Sequence, residues 1–378
     1  MNRSFVLALS AGLHAWVGWR LVPALPAAAG LSLAILLAAS ALLMPLGLAA
    51  RRTTGRDGAA AWLARAGLVA MGLFSSLFVL TLLRDLVLLG ASGLVWLRPG
   101  SVPLETLVPA SAAAVPLLAL ALTAVGARNA RRTAGIVHVD VPIAGLPAAL
   151  HGFTIVQLSD IHVGPTIGER YLRGIVEAVN RLDADMVAIT GDLVDGSVES
   201  LGRHVAPLRD LRSRHGSFFV TGNHEYYSGA HGWISALRGL DVTVLLNEHV
   251  VLSHEGASLL VAGVTDPSAH HFDPSHRSDP RAALAGAPAG TVRVLLAHQP
   301  RSALAAVDAG YHLQLSGHTH GGQFWPWNLV VRWQQPFAAG LYRLRDLWVY
   351  VSRGTGYWGP PKRFGAPSEI TRVRLVVA

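Results

Sequence analysis

The chain has 378 residues, of which 51% are hydrophobic and 14% charged, a composition too apolar for a wholly soluble protein. Its formal net charge is +8, and Lys362 is the only lysine, so the positive charge is almost all arginine. There is no cysteine, which excludes disulfides and thiolate metal sites and leaves the redox compartment open. Much of the arginine flanks apolar segments, so membrane topology explains it better than nucleic acid, which is not an expected partner.

The apolar excess lies in the first third. Phe5 to Val22, Leu31 to Ala50, Ala66 to Leu83 and Leu107 to Gly126 are four runs near spanning length, bounded by arginines. Residues 1–134 therefore read as a membrane region with four transmembrane helices. A signal peptide followed by one anchor is the competing reading. With four spans, Arg3, Arg51, Arg52, Arg56, Arg65, Arg128, Arg131 and Arg132 share one side, against Arg20, Arg84 and Arg98 on the other. The positive-inside bias then puts the C-terminal domain in the cytoplasm. Arg84 and Asp85 are expected as an interfacial pair at a span end.

The composition changes near Gly135. Residues 135–151 read as a linker and first strand, Val137 to Val141. From residue 152 to 378 short apolar strands alternate with amphipathic stretches. Phe153 to Leu158 enters SDIH, and Glu169 to Arg181 has helical spacing. Met186 to Ile189 is a buried strand running into TGDLVD. Leu201 to Leu211 reads as a helix, and Ser217 to Val220 leads to GNHE. After a helix at His231 to Leu240 come strands at Val250 to Ser253 and Leu259 to Val264. Val292 to Leu296 leads to AHQP, Ser302 to Asp308 is helical, and Leu313 to Leu315 leads to GHTH. A hairpin over Leu341 to Val351 and a strand at Ile370 to Val377 complete a layered α/β domain.

Five of these stretches carry ligand-type residues just past a strand: Asp160 and His162, Asp192, Asn223 and His224, His298, and His318 and His320. Hard oxygen donors and imidazoles without sulfur suit two divalent metals of the Mn, Fe or Zn kind. Gly191, Gly317, Gly321 and Gly322 let the backbone turn or approach closely.

The order and wording of SDIH, TGDLVD, GNHE, AHQP and GHTH resembles the calcineurin-like metallophosphoesterases, over roughly Gly152 to Ala378. The resemblance implies a four-layer α/β/β/α sandwich with two facing sheets. It implies that Asp160, His162, Asp192 and His320 bind one metal, that Asp192, Asn223, His298 and His318 bind the other, and that Asp192 bridges them. His224 resembles the family's catalytic histidine and Asp195 its orienting partner. A hydroxide shared by the metals would attack phosphorus in line. The expected protein is thus a membrane-anchored dimetal phosphoesterase at the cytoplasmic face. Its expected substrate is a phosphodiester or diphosphate, lipid-linked by the resemblance to a membrane-associated branch. The alternatives are a tethered hydrolase of soluble nucleotides and a membrane receptor or transport module with a regulatory phosphatase-like domain. Substrate identity, native metals and oligomeric state are open.

Other residues carry less. His270, His271 and His276 lie in the loop Thr265 to Pro280 and read first as a solvated substrate-side loop, with a third metal site as the alternative. His204, His215 and His231 read as surface residues. Trp325, Trp327, Trp333 and Trp358 suit core packing or the mouth of a site. Arg353 suits substrate phosphate or a structural ion pair.

Overall fold

The computed structural model describes residues 3–50 and 58–378. Arg51, Arg52 and Arg56, on which part of the orientation argument rests, lie outside the described residues, as does the side chain of Arg3. The chain divides into two compact units: Met1–Asn129 with Gly359–Lys362, and Ala130–Trp358 with Arg363–Ala378.

The first unit contains four helices long and apolar enough to cross a membrane: α1 (Arg3–Leu21), α2 (Ala27–Ala50), α3 (Ala59–Leu97) and α4 (Leu104–Ala130). Alanine and leucine dominate all four, and both favour helix intrinsically. The backbones of α2 and α3 meet at Gly47 and Gly67, where an added Cβ on Gly47 would lie 2.8 Å from the Gly67 Cα. Small residues at such crossings let helices pack closely in lipid.

The third helix is longer than the apolar run read from sequence, while Arg84 and Asp85 do pair, at 3.6 Å. At 39 residues α3 is roughly 58 Å long and runs well past Arg84 and Asp85, which are therefore helix-interior residues. Asp85 takes a two-pronged ion pair from Arg20, at 2.8 and 2.9 Å. Arg84 is buried and donates to the Ser111 hydroxyl at 3.0 Å and to the Arg20 and Val108 carbonyls. Charges that look like a span boundary are compensated by other helices. Lys362 also belongs to this unit, with its amine donating to the Gly72 carbonyl at 3.2 Å and to the Ser76 hydroxyl.

The second unit is a mixed α/β sandwich. One sheet has the order β1 (Gly135–Ile143), β12 (Glu369–Val377), β2 (Thr154–Leu158), β3 (Met186–Ile189), β4 (Ser217–Phe219), β5 (Val242–Val244). The other runs β10 (Gly340–Leu344), β11 (Leu347–Val351), β9 (Leu313–Ser316), β8 (Val292–Leu296), β7 (Ala257–Gly263), β6 (Glu248–His254). Ile155, Met186 and Phe218 from the first sheet pack with Val261, Val294 and Leu315 from the second, so the sheets face each other. The outer face of the first sheet is covered by α5 (Glu169–Asn180), α6 (Val198–Val205) and α8 (Ala230–Arg238), through residues such as Leu172, Val205 and Trp233. The outer face of the second is covered by α9 (Ala303–Ala309). Strands buried on both faces read as continuous apolar runs, as Met186–Ile189 does.

β2, β3 and β4 are mutually parallel, as are β7, β8 and β9. Their C-terminal ends deliver the loops that carry the ligand-type residues. Two short helices were not expected from sequence: α7 (Asn223–Tyr227) inside GNHE, and α10 (Trp327–Val330).

Candidate active site

The loops after β2 and β3 run side by side. The Asp160 N–H donates to the Gly191 carbonyl at 3.0 Å and the His162 N–H to the Asp192 carbonyl at 3.1 Å. This brings SDIH and TGDLVD into register. Gly191 has φ +85, and a Cβ there would lie 2.7 Å from the Gly222 nitrogen, so TGDLVD and GNHE meet backbone to backbone. Gly317 plays the same part between the sheets, since its Cβ would overlap Ser159 and the Asp160 carboxylate.

Asp160, His162, Asp192, His318 and His320 all have φ between 51 and 70, the left-handed region. Such backbone is unfavourable for residues other than glycine and persists where the surroundings enforce it, often at functional sites. Two groups of ligand atoms result, Asp160–His162–His320 and Asp192–His298–His318, each within 4.8 Å. His162, Asp192 and His224 form a third group that links them.

The contacts are specific. Asp192 Oδ2 lies 3.1 Å from His298 Nε2, 3.8 Å from His162 Nε2 and 4.0 Å from His224 Nε2. His162 Nε2 and His320 Nε2 are 3.0 Å apart, and His318 Nδ1 and His298 Nε2 are 3.1 Å apart. His298 Nδ1 faces the Thr190 carbonyl at 2.8 Å, which leaves Nε2 as the lone-pair atom on the cluster side. Asp160 accepts the His318 N–H on both oxygens and the Ser159 hydroxyl at 2.6 Å. Asn223 Oδ1 is buried without a hydrogen-bond partner among the described residues. A buried acceptor without a donor is what a cation ligand looks like before its cation is counted. The carboxylates, the amide oxygen and the imidazoles therefore fit divalent metal ions.

Asp195 sits behind two rings. Its Oδ1 is 2.5 Å from His224 Nδ1 and 3.2 Å from His162 Nδ1, so it orients both a candidate ligand and the candidate acid–base group. His224 is partly open to solvent, with the Tyr227 ring at 5.2 Å and the Trp358 ring at 5.9 Å.

The titration behaviour reflects crowding. Burial alone would raise the Asp192 carboxyl, but His298 and His224 hold it well below the usual range. Burial opposes charge on His298, yet Asp192 raises it well above the ordinary histidine value. Burial likewise opposes charge on His224, and Asp192 and Asp195 overcome it to give a pKa of about 9. His318 is pushed down to about 4 by burial and by His298, and His320 well below normal by burial, His162 and Arg363.

Two residues that hold the site were missed in the sequence. Glu225 is fully buried and accepts N–H donors from Gly222 (2.7 Å), Asp192 (3.0 Å), Leu193 (2.8 Å) and Val194 (3.3 Å). It ties the start of α7 to TGDLVD. Burial and Asp192 push its carboxyl up to about 8, while the backbone donors favour the ionised form. Its signal was its place inside GNHE. Arg363 is buried, with Nη2 3.1 Å from His320 Nδ1 and Nη1 donating to the His320 carbonyl. No sequence signal distinguished it from other arginines.

Several expectations fall away from the site. Arg353 is the structural alternative: it pairs with buried Glu369 at 2.7 Å. His270 and His271 lie against each other, and His270 Nδ1 faces the Pro267 carbonyl. His215 is not a simple surface residue; it stacks on Phe153 and sits 3.0 Å from His254. His204 is half-buried rather than exposed. Trp358 stands at the mouth, Trp325 and Trp327 are partly exposed, and Trp333 is 85% exposed.

Comparison with known proteins gives the family. A family model described as calcineurin-like phosphoesterase matches residues 153–322. The chain is 43% identical over 269 residues to a transmembrane protein with metallophosphoesterase domain from Bos taurus, covering 68% of this chain and 60% of that one. It is 42% identical over 224 residues to an uncharacterized metallophosphoesterase of Helicobacter pylori, covering 59% of each. It is 32% identical over 226 residues to an uncharacterized metallophosphoesterase of Aquifex aeolicus, covering 58% of this chain and 84% of that protein. The chain belongs to the calcineurin-like phosphoesterase family, and its second unit carries that family's metallophosphoesterase domain. It spans about 60% of the length of the Bos taurus and Helicobacter pylori relatives.

Proposed function

We propose that this chain is a multi-pass membrane phosphoesterase that uses two divalent metals, of the Mn, Fe or Zn kind, to hydrolyse a phosphodiester or diphosphate bond. Residues 1–134 are its membrane region, 135–151 a linker with the first strand, and 152–378 its catalytic domain. The observation that carries the reading is Asp192: one carboxylate oxygen lies 3.1 Å from His298 Nε2 and 3.8 Å from His162 Nε2, and the buried amide oxygen of Asn223 has no donor among the described residues. Asp160, His162, Asp192 and His320 would hold one ion. Asp192, Asn223, His298 and His318 would hold the other.

When bound, the ions supply charge to offset the phosphoryl oxygens and a source of nucleophilic water near neutral pH. The protein's own part is orientation. Asp195 fixes the rings of His162 and His224, Thr190 fixes His298, and Glu225 fixes the backbone that carries Asp192. His224, with Nδ1 engaged by Asp195, has Nε2 left to give a proton to the leaving oxygen. Replacing Asp192 with Asn should abolish turnover and lower metal content. His224→Ala should keep near-normal metal content and slow hydrolysis by about 10²–10⁴. Metal analysis beside rate measurements on a small chromogenic phosphodiester checks both, and wild-type behaviour of either variant would sink the assignment.

The substrate class we favour is a lipid-borne phosphodiester or diphosphate. The supporting features are the exposed aromatic residues Trp325, Trp327 and Trp358, with Trp358 beside His224. Aromatic side chains of this kind suit a contact that is apolar at one end and wet at the other. Purified full-length protein with manganese should be assayed on nucleotide, phospholipid and glycolipid-diphosphate substrates. The reading expects turnover of a lipid substrate, reduced by Trp325→Ala with Trp327→Ala while the chromogenic reaction persists. Efficient turnover of soluble nucleotides with no lipid reaction would replace it with a tethered nucleotide hydrolase.

The arginine distribution supports a cytoplasmic catalytic domain. A reporter active only outside the cytoplasm should be silent when fused after Ala378 and active when fused between Arg98 and Pro103, in the connection between α3 and α4. The reverse pattern would move the chemistry to the outer face.

A further inference from the structure

We propose that His231, Asp273 and His276 form an accessory site for one divalent cation of the zinc class, distinct from the seven-residue centre and independent of the reaction assigned to it. One ligand atom from each lies within 4.8 Å of the others. His231 is on α8, whereas Asp273 and His276 come from the loop 265–280, so the site would tie a loop to a helix.

Two imidazoles converge on one carboxylate oxygen. Asp273 Oδ2 is 3.1 Å from His231 Nε2 and 4.0 Å from His276 Nε2, and the two ring centres are 5.1 Å apart. Tetrahedral zinc, with bonds of about 2.0–2.2 Å, places neighbouring ligand atoms roughly 3.3–3.6 Å apart. The observed separations bracket that edge.

The far side of two of these ligands is already engaged. Asp273 Oδ1 accepts the Ser275 N–H at 2.9 Å and the Ser275 hydroxyl at 2.6 Å, which turns Oδ2 to the rings. His276 Nδ1 is 2.8 Å from the Tyr226 hydroxyl. With Nδ1–H donated to that oxygen, the Nε2 lone pair faces Asp273 and His231, the arrangement usual behind a metal-bound histidine. The donor set, two nitrogens and one oxygen, suits zinc, cobalt or nickel rather than magnesium or calcium. His231 is exposed, which leaves water or another ligand access to the remaining positions.

The position gives the ion a consequence. Phe272, next to Asp273, packs on Tyr226 at 5.8 Å and on Tyr227 at 5.6 Å, and Tyr227 in turn lies 5.2 Å from His224. A cation here would hold the loop that borders the candidate acid–base group.

The test uses full-length protein loaded with manganese and dialysed against buffered zinc at about 10 µM free ion, a range suited to an exposed three-ligand site. Total manganese plus zinc is then counted per chain, so exchange at the main centre does not alter the result. Wild-type protein should hold one ion more than His231→Ala and one more than Asp273→Asn. The manganese-only hydrolysis rate of His231→Ala should equal that of wild type. His231 is exposed, so its replacement by alanine leaves the fold intact, which circular dichroism checks. Equal metal totals in wild type and His231→Ala would overturn the proposal, whatever the outcome for the main centre.

Discussion

Asp192 is the constraint on which the rest of the domain depends. A carboxylate that is fully buried must be compensated by charge or by donors, because an isolated ion in the interior is strongly unfavourable. Here the compensation comes from two sheets at once. His162 arrives from the loop after β2, His224 from α7 after β4, and His298 from the loop after β8 in the facing sheet. The sandwich is therefore also the device that surrounds one acid with imidazoles from both halves. The left-handed backbone at Asp160, His162, Asp192, His318 and His320 shows where that convergence is enforced against local preference.

The supporting contacts follow from the same requirement. Glu225 gathers backbone donors from TGDLVD and from the start of α7, and so sets the distance between Asp192 and Asn223. Asp195 holds His162 and His224 through one oxygen, which links the orientation of a candidate metal ligand to that of the candidate proton donor. Arg363 fixes His320 from behind. Each buries a polar group in a position that only the assembled loops can satisfy, which makes the site and the fold mutually dependent.

Much of this was legible in the chain. Met186–Ile189 is an apolar run of strand length, Val292–Leu296 is apolar apart from Arg293, and the motifs after them carry their ligand types openly. What escaped was set by partners distant in sequence. The five-residue helix Asn223–Tyr227 is too short for periodicity, and it exists because Glu225 meets backbone from another loop. Val242–Val244 is a three-residue strand defined by pairing with β4. The continuation of α3 past Arg84 and Asp85 depends on Arg20 and Ser111, which sit on other helices. His231 looked like one more surface histidine because Asp273 and His276 reach it only through the folded loop.

The central claim, that Asp192 joins two metal ions, has a direct spectroscopic test. Electron paramagnetic resonance of the manganese-loaded full-length protein at low temperature distinguishes a coupled pair from separate ions. The account predicts a multiline spectrum with hyperfine spacing about half that of isolated manganese, as expected for two ions sharing a carboxylate at the roughly 3.5–4 Å spacing of two-metal sites. A spectrum of isolated ions only, at full manganese occupancy, would contradict it.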